Sequence, residues 1–355
     1  MAAKRKTVTV LLVIVGLLLA LALAAYGLFS HYTSKLNRVD PASAERVPAL
    51  SPDPLLEESD LTSAEQEALE RQLQDNLEAQ SDRDYSSKDV TNILLIGVDN
   101  DYAPGLERWG NADGLVIASI NKKTSELVLT SLMRDIYVSI PGKFNTKLTL
   151  TYHYGGTDYL IDAIQSNLGI PIDNYILVNY INVADIVDAV GGLELDVNAA
   201  ELEEMAGKIR NINQLLGLPM TDNYIPESQA GTLQLNGVQV AAYLRLRAAG
   251  NNDFERTERA RLVLTKLLDK VRGLSFSDFN RLADTLLPCI TTDLSQARIF
   301  SLLLNAPQYM KYELVSSRIP VDDSFYFANL SGSTLVIDYE VNREYLYRSI
   351  YEGSR

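Results

Sequence analysis

One apolar stretch near the start constrains this chain most. From Val8 to Phe29 it reads VTVLLVIVGLLLALALAAYGLF, with Thr9 as its most polar member. About 20 such residues, rising about 1.5 Å each, cross the hydrocarbon core of a bilayer. Lys4, Arg5 and Lys6 stand just before it, and the positive-inside rule keeps that end in the cytoplasm. The rival reading is a cleaved signal peptide, since Ala20-Leu21-Ala22 and Ala22-Leu23-Ala24 have the form of cleavage sites. A signal core runs about 7–15 apolar residues, and this one is longer. The expectation is a single-pass protein of the cell membrane, with a cytoplasmic N-terminus and an extracytoplasmic domain.

The exported part is acidic. The 355-residue chain has 46 Asp and Glu against 32 Lys and Arg, a net charge of −14. A nucleic-acid-binding surface needs a basic excess, so no nucleic-acid partner is expected. Cys289 is the sole cysteine, which excludes an intramolecular disulfide and Cys-rich metal sites. His31 and His153 are the two histidines, and neither has a partner at zinc spacing.

The pattern along the chain divides it. Residues 1–7 form the cytoplasmic tail, 8–29 the transmembrane helix, and 30–88 a stalk containing four prolines and an acidic helical run from Thr62 to Gln80. Leu69, Leu73 and Leu77 recur every fourth residue there, a narrow stripe suited to lying on the domain or to a short coiled coil. Residues 89–272 read as the main domain. Asn92 to Asp99 is a continuous apolar run, as in a strand buried on both faces. Leu115–Ile120 and Glu126–Leu132 form a hairpin. Tyr175–Tyr180 and Leu193–Val197 read as strands; Asp158–Leu168, Val183–Val190, Gly237–Leu246 and Phe254–Arg272 read as helices. Residues 273–355 read as a helical extension packed on the domain, with helices around Phe279–Leu287 and Leu294–Leu304. Alternating strands and helices give an α/β class with a central sheet.

Three groups of residues could carry chemistry. Asp99 ends a buried strand, and Asp113 precedes the next one. Functional groups of α/β proteins gather beyond strand ends, and two converging carboxylates suit Mg²⁺, which takes few protein oxygens and completes its shell with phosphate. Both could instead cap loops. Arg134 follows an apolar strand, so it either points into a cleft or pairs with a nearby acid such as Asp135. The third group is Tyr243-Leu244-Arg245-Leu246-Arg247 followed by Asp253-Phe254-Glu255-Arg256-Thr257-Glu258-Arg259-Ala260-Arg261. Arginine forks match phosphate oxygens and stay charged, so this cluster in an acidic protein suggests an anion site. A solvated helix with i,i+4 pairs such as Glu255–Arg259 accounts for Arg259 and Arg261 but not for Arg245 and Arg247.

These stretches together resemble the LytR-CpsA-Psr family of membrane-anchored cell-envelope proteins. The resemblance runs from about Asn92 to Leu268. It rests on NILLIGVD, the loop into Asp113, SLMRDIYVSIPG, KLTLTYHYGG, IDNYILVNY, the VDAVGG turn, LNGVQVAAYLRLR and NDFERTERAR. It implies a three-layer α/β/α domain with a central mixed sheet and a hydrophobic pocket for a polyprenyl chain. It also implies a Mg²⁺-dependent phosphotransferase. Such an enzyme moves a glycopolymer, of teichoic acid or capsular polysaccharide type, from polyprenyl pyrophosphate to a hydroxyl of peptidoglycan. By the same resemblance Asp99 and Asp113 hold the metal, Arg134, Arg245, Arg247 and Arg256 hold the pyrophosphate, and Asp253 is an essential carboxylate and candidate base. Arg134, Asp253 and Arg245 are the catalytic candidates.

The chain departs from the family pattern in three places. Gly110-Asn111-Ala112-Asp113 stands where Gly-Arg-Ser-Asp is usual, with Arg108 three residues before Asn111. Met133 replaces a proline, and Ala260 a glutamine. The Asn111 change leaves open a slower enzyme, a different acceptor, or a non-catalytic binder of polyprenyl-pyrophosphate lipids. A hydrolase of those lipids, with water in place of the sugar hydroxyl, is a further alternative.

Overall fold

The computed structural model describes residues 30–39, 61–80, 87–99, 110–246, 253–273, 283–285, 287–330 and 332–353. The apolar segment 8–29 lies outside them, as do Arg108 and Arg247. Among the described residues no helix is long and apolar enough to cross a membrane.

The architecture is mixed α/β around one seven-stranded sheet. Its strands are β1 (Asn37–Arg38), β2 (Val90–Asp99), β3 (Asn111–Asn121), β4 (Glu126–Leu132), β7 (Asn174–Asn179), β10 (Thr291–Thr292) and β11 (Glu313–Ile319). The order across the sheet is β1-β10-β7-β2-β3-β4-β11. Two short hairpins intervene in the chain, β5 (Tyr137–Ile140) with β6 (Phe144–Lys147), and β8 (Leu193–Val197) with β9 (Gly231–Leu235). A third, β12 (Phe325–Asn329) with β13 (Ser333–Ile337), follows β11. β2, β3 and β4 are antiparallel neighbours, whereas β2–β7 and β4–β11 are parallel. The expected apolar run of β2 occupies the middle, where both faces are covered.

Turn chemistry fixes the β3–β4 hairpin. Asn121 Oδ1 accepts from the N–H groups of Lys123 and Thr124, and Asn121 Nδ2 donates to the Ile350 carbonyl at 2.8 Å. An asparagine side chain that mimics the backbone is a standard turn former.

The helices are α1 (Ser63–Gln80), α2 (Leu148–Leu168), α3 (Tyr180–Ala189), α4 (Ala199–Leu215), α5 (Gly237–Leu244), α6 (Asp253–Arg272), α7 (Gln296–Tyr309) and α8 (Tyr339–Tyr347). One face of the sheet, carrying Leu94, Ile96 and Ile117, packs with Leu160 and Ile164 of α2, Leu73 of α1 and Leu346 of α8 in one core. The other face looks toward α3 and α6. α3, α4, α5 and the β8–β9 hairpin share a second core that includes Val187, Leu202 and Val240.

Three expectations need correction. Residues of the expected stalk belong to the folded body: β1 pairs with β10, and α1 buries Leu69 and Leu73. A capping box starts α1, with Thr62 N–H donating to Glu65 Oε2 and Glu65 N–H to Thr62 Oγ1. The leucine stripe therefore meets this domain, not a second helix. The tail after residue 272 is not simply helical. It contributes β11 to the central sheet and a separate hairpin. β11 carries Ser316, Ser317 and Arg318 at the sheet edge, so no continuous apolar run marks it. Finally, the helix expected from Asp158 begins at Leu148 and is broken at Gly155 and Gly156, where φ/ψ leave the helical region. A Cβ on Gly155 would stand 2.1 Å from the Tyr159 ring, so the glycine lets that ring close over the kink.

Candidate active site

The sheet face toward α6 forms the floor of a cavity of about 330 Å³. In register across three strands, Val116, Leu95 and Ile176 make one row, and Gly114, Gly97 and Val178 the next. The roof is α6, whose Ala260, Val263, Leu264, Leu267, Leu268 and Val271 recur at i, i+3, i+4, i+7, i+8 and i+11, the period of one helical face. Val183 and Ile186 of α3 and Leu244 of α5 add to the walls. A concave, mostly apolar chamber with a few polar groups is the ordinary form of a small-molecule site.

The polar groups are Asp113, Arg134 and Arg256, which all line the cavity. β2 and β3 pair Gly97 with Gly114 but Val98 with Ala112, so the register slips at this point. Asp113 is the extra residue, left unpaired in the ladder. A bulge of this kind re-aims a side chain. The Asp113 carboxylate accepts from Arg134 Nη1 at Oδ1, 2.9 Å away, and its Oδ2 is 3.5 Å from Arg256 Nη1. Arg134 Nε is also 3.5 Å from Asp135 Oδ2. Both readings of Arg134 therefore hold at once, since it reaches a cleft and pairs with acids.

The turn bearing Arg134 is held on both sides. Met133 N–H donates to Ile319 O, and Thr149 N–H donates to Arg134 O. Met133 is fully buried, so the residue standing in place of the family's proline fills core. Two residues before Met133, at the end of β4 and in the cavity wall, Ser131 is fully buried and its Oγ has no hydrogen-bond partner in the structure.

The remaining sequence candidates are placed less completely. Asp99 closes β2 and pairs through its backbone with Asn111, so the two acids come from adjacent strands at one end of the sheet. Its side chain lies outside the described residues, as does that of Asp253, the first residue of α6. Arg245 caps the C-terminus of α5 directly after cavity-lining Leu244, and its Nη1 donates to Asn211 Oδ1 at 3.0 Å. Arg259 is not on a solvated face. It is buried between Glu201 at 3.1 Å and Glu255 at 2.7 Å, with its guanidinium over the Tyr243 ring. Arg261 donates to the Ser317 carbonyl of β11 at 2.7 Å. These two arginines lock α6 in place, and Arg256 of the same helix reaches the cavity.

The cavity lining on α6 was legible as a helical apolar stripe, though the arginines between its members dominate the reading of that segment. Ser131 and Gly114 carried no such signal. Among the described residues no cluster of three or more metal-ligating side chains occurs. Asp113 supplies the carboxylate oxygen type that a hard cation takes.

A family model described as LytR_cpsA_psr family matches residues 56–343. A teichoic acid transferase of Enterococcus faecalis, named polyisoprenyl-teichoic acid–peptidoglycan teichoic acid transferase TagU, is 30% identical over 213 residues, covering 59% of this chain and 63% of the relative. Biofilm regulatory protein A of Streptococcus mutans is 31% identical over 209 residues, covering 53% of this chain and 47% of the relative. The chain thus spans less than two thirds of either relative. Among solved structures, the family protein YwtF (TagT) with bound octaprenyl pyrophosphate aligns with TM-score 0.54 at 21% identity, over 77% of this chain and 95% of that one. That likeness establishes the shared fold.

Proposed function

This chain belongs to the LytR-CpsA-Psr family, and from that premise we propose that it transfers a glycopolymer from a polyprenyl-pyrophosphate carrier to a hydroxyl of peptidoglycan. The supporting observation is one continuous site: an apolar chamber under α6 that ends on Asp113, Arg134 and Arg256. An apolar tail and a pyrophosphate on one molecule fit that sequence of surfaces. The relatives support it too, since one is named for this transfer and a solved family structure holds octaprenyl pyrophosphate.

In the reaction, the acceptor hydroxyl oxygen forms a bond to the phosphorus that carries the glycopolymer. The bond from that phosphorus to the bridging oxygen breaks, and polyprenyl phosphate leaves. The hydroxyl proton passes to a carboxylate or to solvent. Catalysis of such transfers is mostly positioning and neutralisation of charge. Arg134 and Arg256 are the forks for phosphate oxygens, and Asp113 keeps the two together before the substrate arrives. Arg245 and Arg247 would extend the clamp by the family resemblance alone, since Arg245 meets Asn211 outside the cavity lining. Asp253, one turn before Arg256 on α6, is the candidate base. Asp99 and Asp113 would hold Mg²⁺, which would neutralise part of the pyrophosphate charge. The segment 8–29 tethers the domain outside the cytoplasm at the surface where the carrier resides, which raises the effective concentration of one for the other.

The test uses the full chain in lipid vesicles with labelled lipid-linked glycopolymer, peptidoglycan oligomers and Mg²⁺. A phosphodiester conjugate is expected, and it is lost with EDTA or Arg134→Ala. Equal conjugate under those conditions would sink the reading. Because Asn111 replaces a family arginine, Asn111→Arg is included and is expected to raise the rate. Lipid turnover without glycan attachment would assign a hydrolase, and binding without turnover a lipid binder.

A further inference from the structure

Beside the charged end of the cavity stands a group of aromatic rings that the transfer itself does not use. The β12–β13 hairpin is fixed to the turn carrying Arg134 by the hydrogen bond from Leu335 N–H to Asp135 O, 2.8 Å, and by the bridge between Ile136 and Leu335. On its other side it meets the start of α6. Phe254 lies with its ring centroid 5.2 Å from that of Phe325 and 6.4 Å from that of Phe327. Arg318 places its guanidinium carbon 4.4 Å from the Phe254 centroid. Phe254 is two residues before Arg256, so the cluster adjoins the residues that hold Asp113.

Most of this cluster is structural, since Phe254 and Phe325 are partly buried and pack on the main core. Phe327 and Tyr326 differ. They are 58% and 55% exposed, but as successive strand residues they point to opposite faces, and Phe327 is the one on the face of Phe325. Single exposed apolar residues are commonplace. Phe327 is seated edge-on against both Phe254 and Phe325 at the charged end of the cavity, a rigid aromatic surface whose order costs little entropy.

We propose that Phe327, supported by Phe254 and Phe325, is the subsite for a pyranose ring of the acceptor glycan. A pyranose presents a face of C–H groups that packs on an aromatic ring, with its hydroxyls left to solvent. The inference rests on the transfer reading above. There the leaving polyprenyl phosphate occupies the apolar cavity. An in-line displacement brings the attacking hydroxyl from the side away from the leaving group, and the hairpin adjoins the charged end of the cavity through the Arg134 turn and the start of α6. The acceptor is therefore the sugar that meets Phe327, in preference to the donor's own polymer.

The test pairs kinetics with donor-free binding, on the full chain in vesicles. Phe327→Ala is expected to raise the acceptor KM roughly tenfold, a loss of one aromatic anchor, with donor KM and thermal unfolding unchanged. Phe327→Trp is expected to restore it, and Tyr326→Ala, on the opposite face of the strand, to leave it unchanged. Saturation-transfer NMR with an amino-sugar tetrasaccharide of the peptidoglycan type, without donor lipid, should show contact in the wild type and none in Phe327→Ala. That arm stands even where no transfer is detected, so failure of the subsite and failure of the activity are distinguishable. Unchanged acceptor KM and glycan contact in Phe327→Ala would overturn the proposal, as would a rise in donor KM alone.

Discussion

Asp113 has one carboxylate oxygen 2.9 Å from Arg134 and the other 3.5 Å from Arg256, and its side chain is almost wholly buried. Removing one partner of a buried charge set is costly because the others lose their counter-charge. Asp113→Asn should therefore lower stability by about 3 kcal/mol in chemical denaturation and also weaken binding of pyrophosphate lipid. A residue needed only as a metal ligand would leave stability intact without metal. Ser131 makes the opposite prediction. Its Oγ is buried in the cavity wall without a partner, so Ser131→Ala should raise stability slightly, by up to about 1 kcal/mol. A several-fold loss of lipid affinity in the same variant would show that the hydroxyl meets the headgroup. Tyr137 gives a pH prediction. Burial first, then the nearby Glu70 carboxylate, pushes its phenol up to about 12. The folded value exceeds the ordinary 10, so its contribution is present below pH 10 and is lost as pH rises from 10 to 12. The slope from this group is about 1.4 kcal/mol per pH unit. Tyr137→Phe should flatten that alkaline loss in denaturation measured across the window.

At the scale of elements, α6 both closes the cavity and supplies Arg256, so its anchorage matters. Arg259 fixes it to α4 through Glu201 and to its own first turns through Glu255. Glu201 is itself the third residue of a capping box with Asn198, so it stays buried when its arginine is lost. Arg259→Ala should cost about 3 kcal/mol and loosen the cavity roof, read as faster hydrogen exchange in α6. Much of this arrangement was legible beforehand. The central strand, the β3–β4 hairpin and α6 itself were recognisable from apolar runs, turn residues and a helical period. The bulge at Asp113 was not, because it depends on which residues of β2 and β3 face each other. Arg259 read as solvated because an i,i+4 acid partner is visible in the sequence, whereas Glu201, far away in the chain, is not.

For the whole molecule, the main revision concerns the stalk. With β1 on the sheet edge and α1 in the core, the helix expected to lie on the domain is an integral part of it. Arg343 of α8 donates to Asn76 of α1, and Asn76 donates to the Asn167 carbonyl of α2. A fragment starting at residue 88 should thus expose Leu69 and Leu73 contacts and lose several kcal/mol relative to one starting at residue 61, measured by thermal unfolding of the two. The most direct test of the account is the affinity of the full chain for polyprenyl pyrophosphates of increasing length. With the tail in the cavity under α6, affinity should rise several-fold per isoprene unit until the chamber is filled, and Ala260→Trp should abolish the rise. Affinity that does not depend on chain length, or that survives Ala260→Trp unchanged, would contradict it.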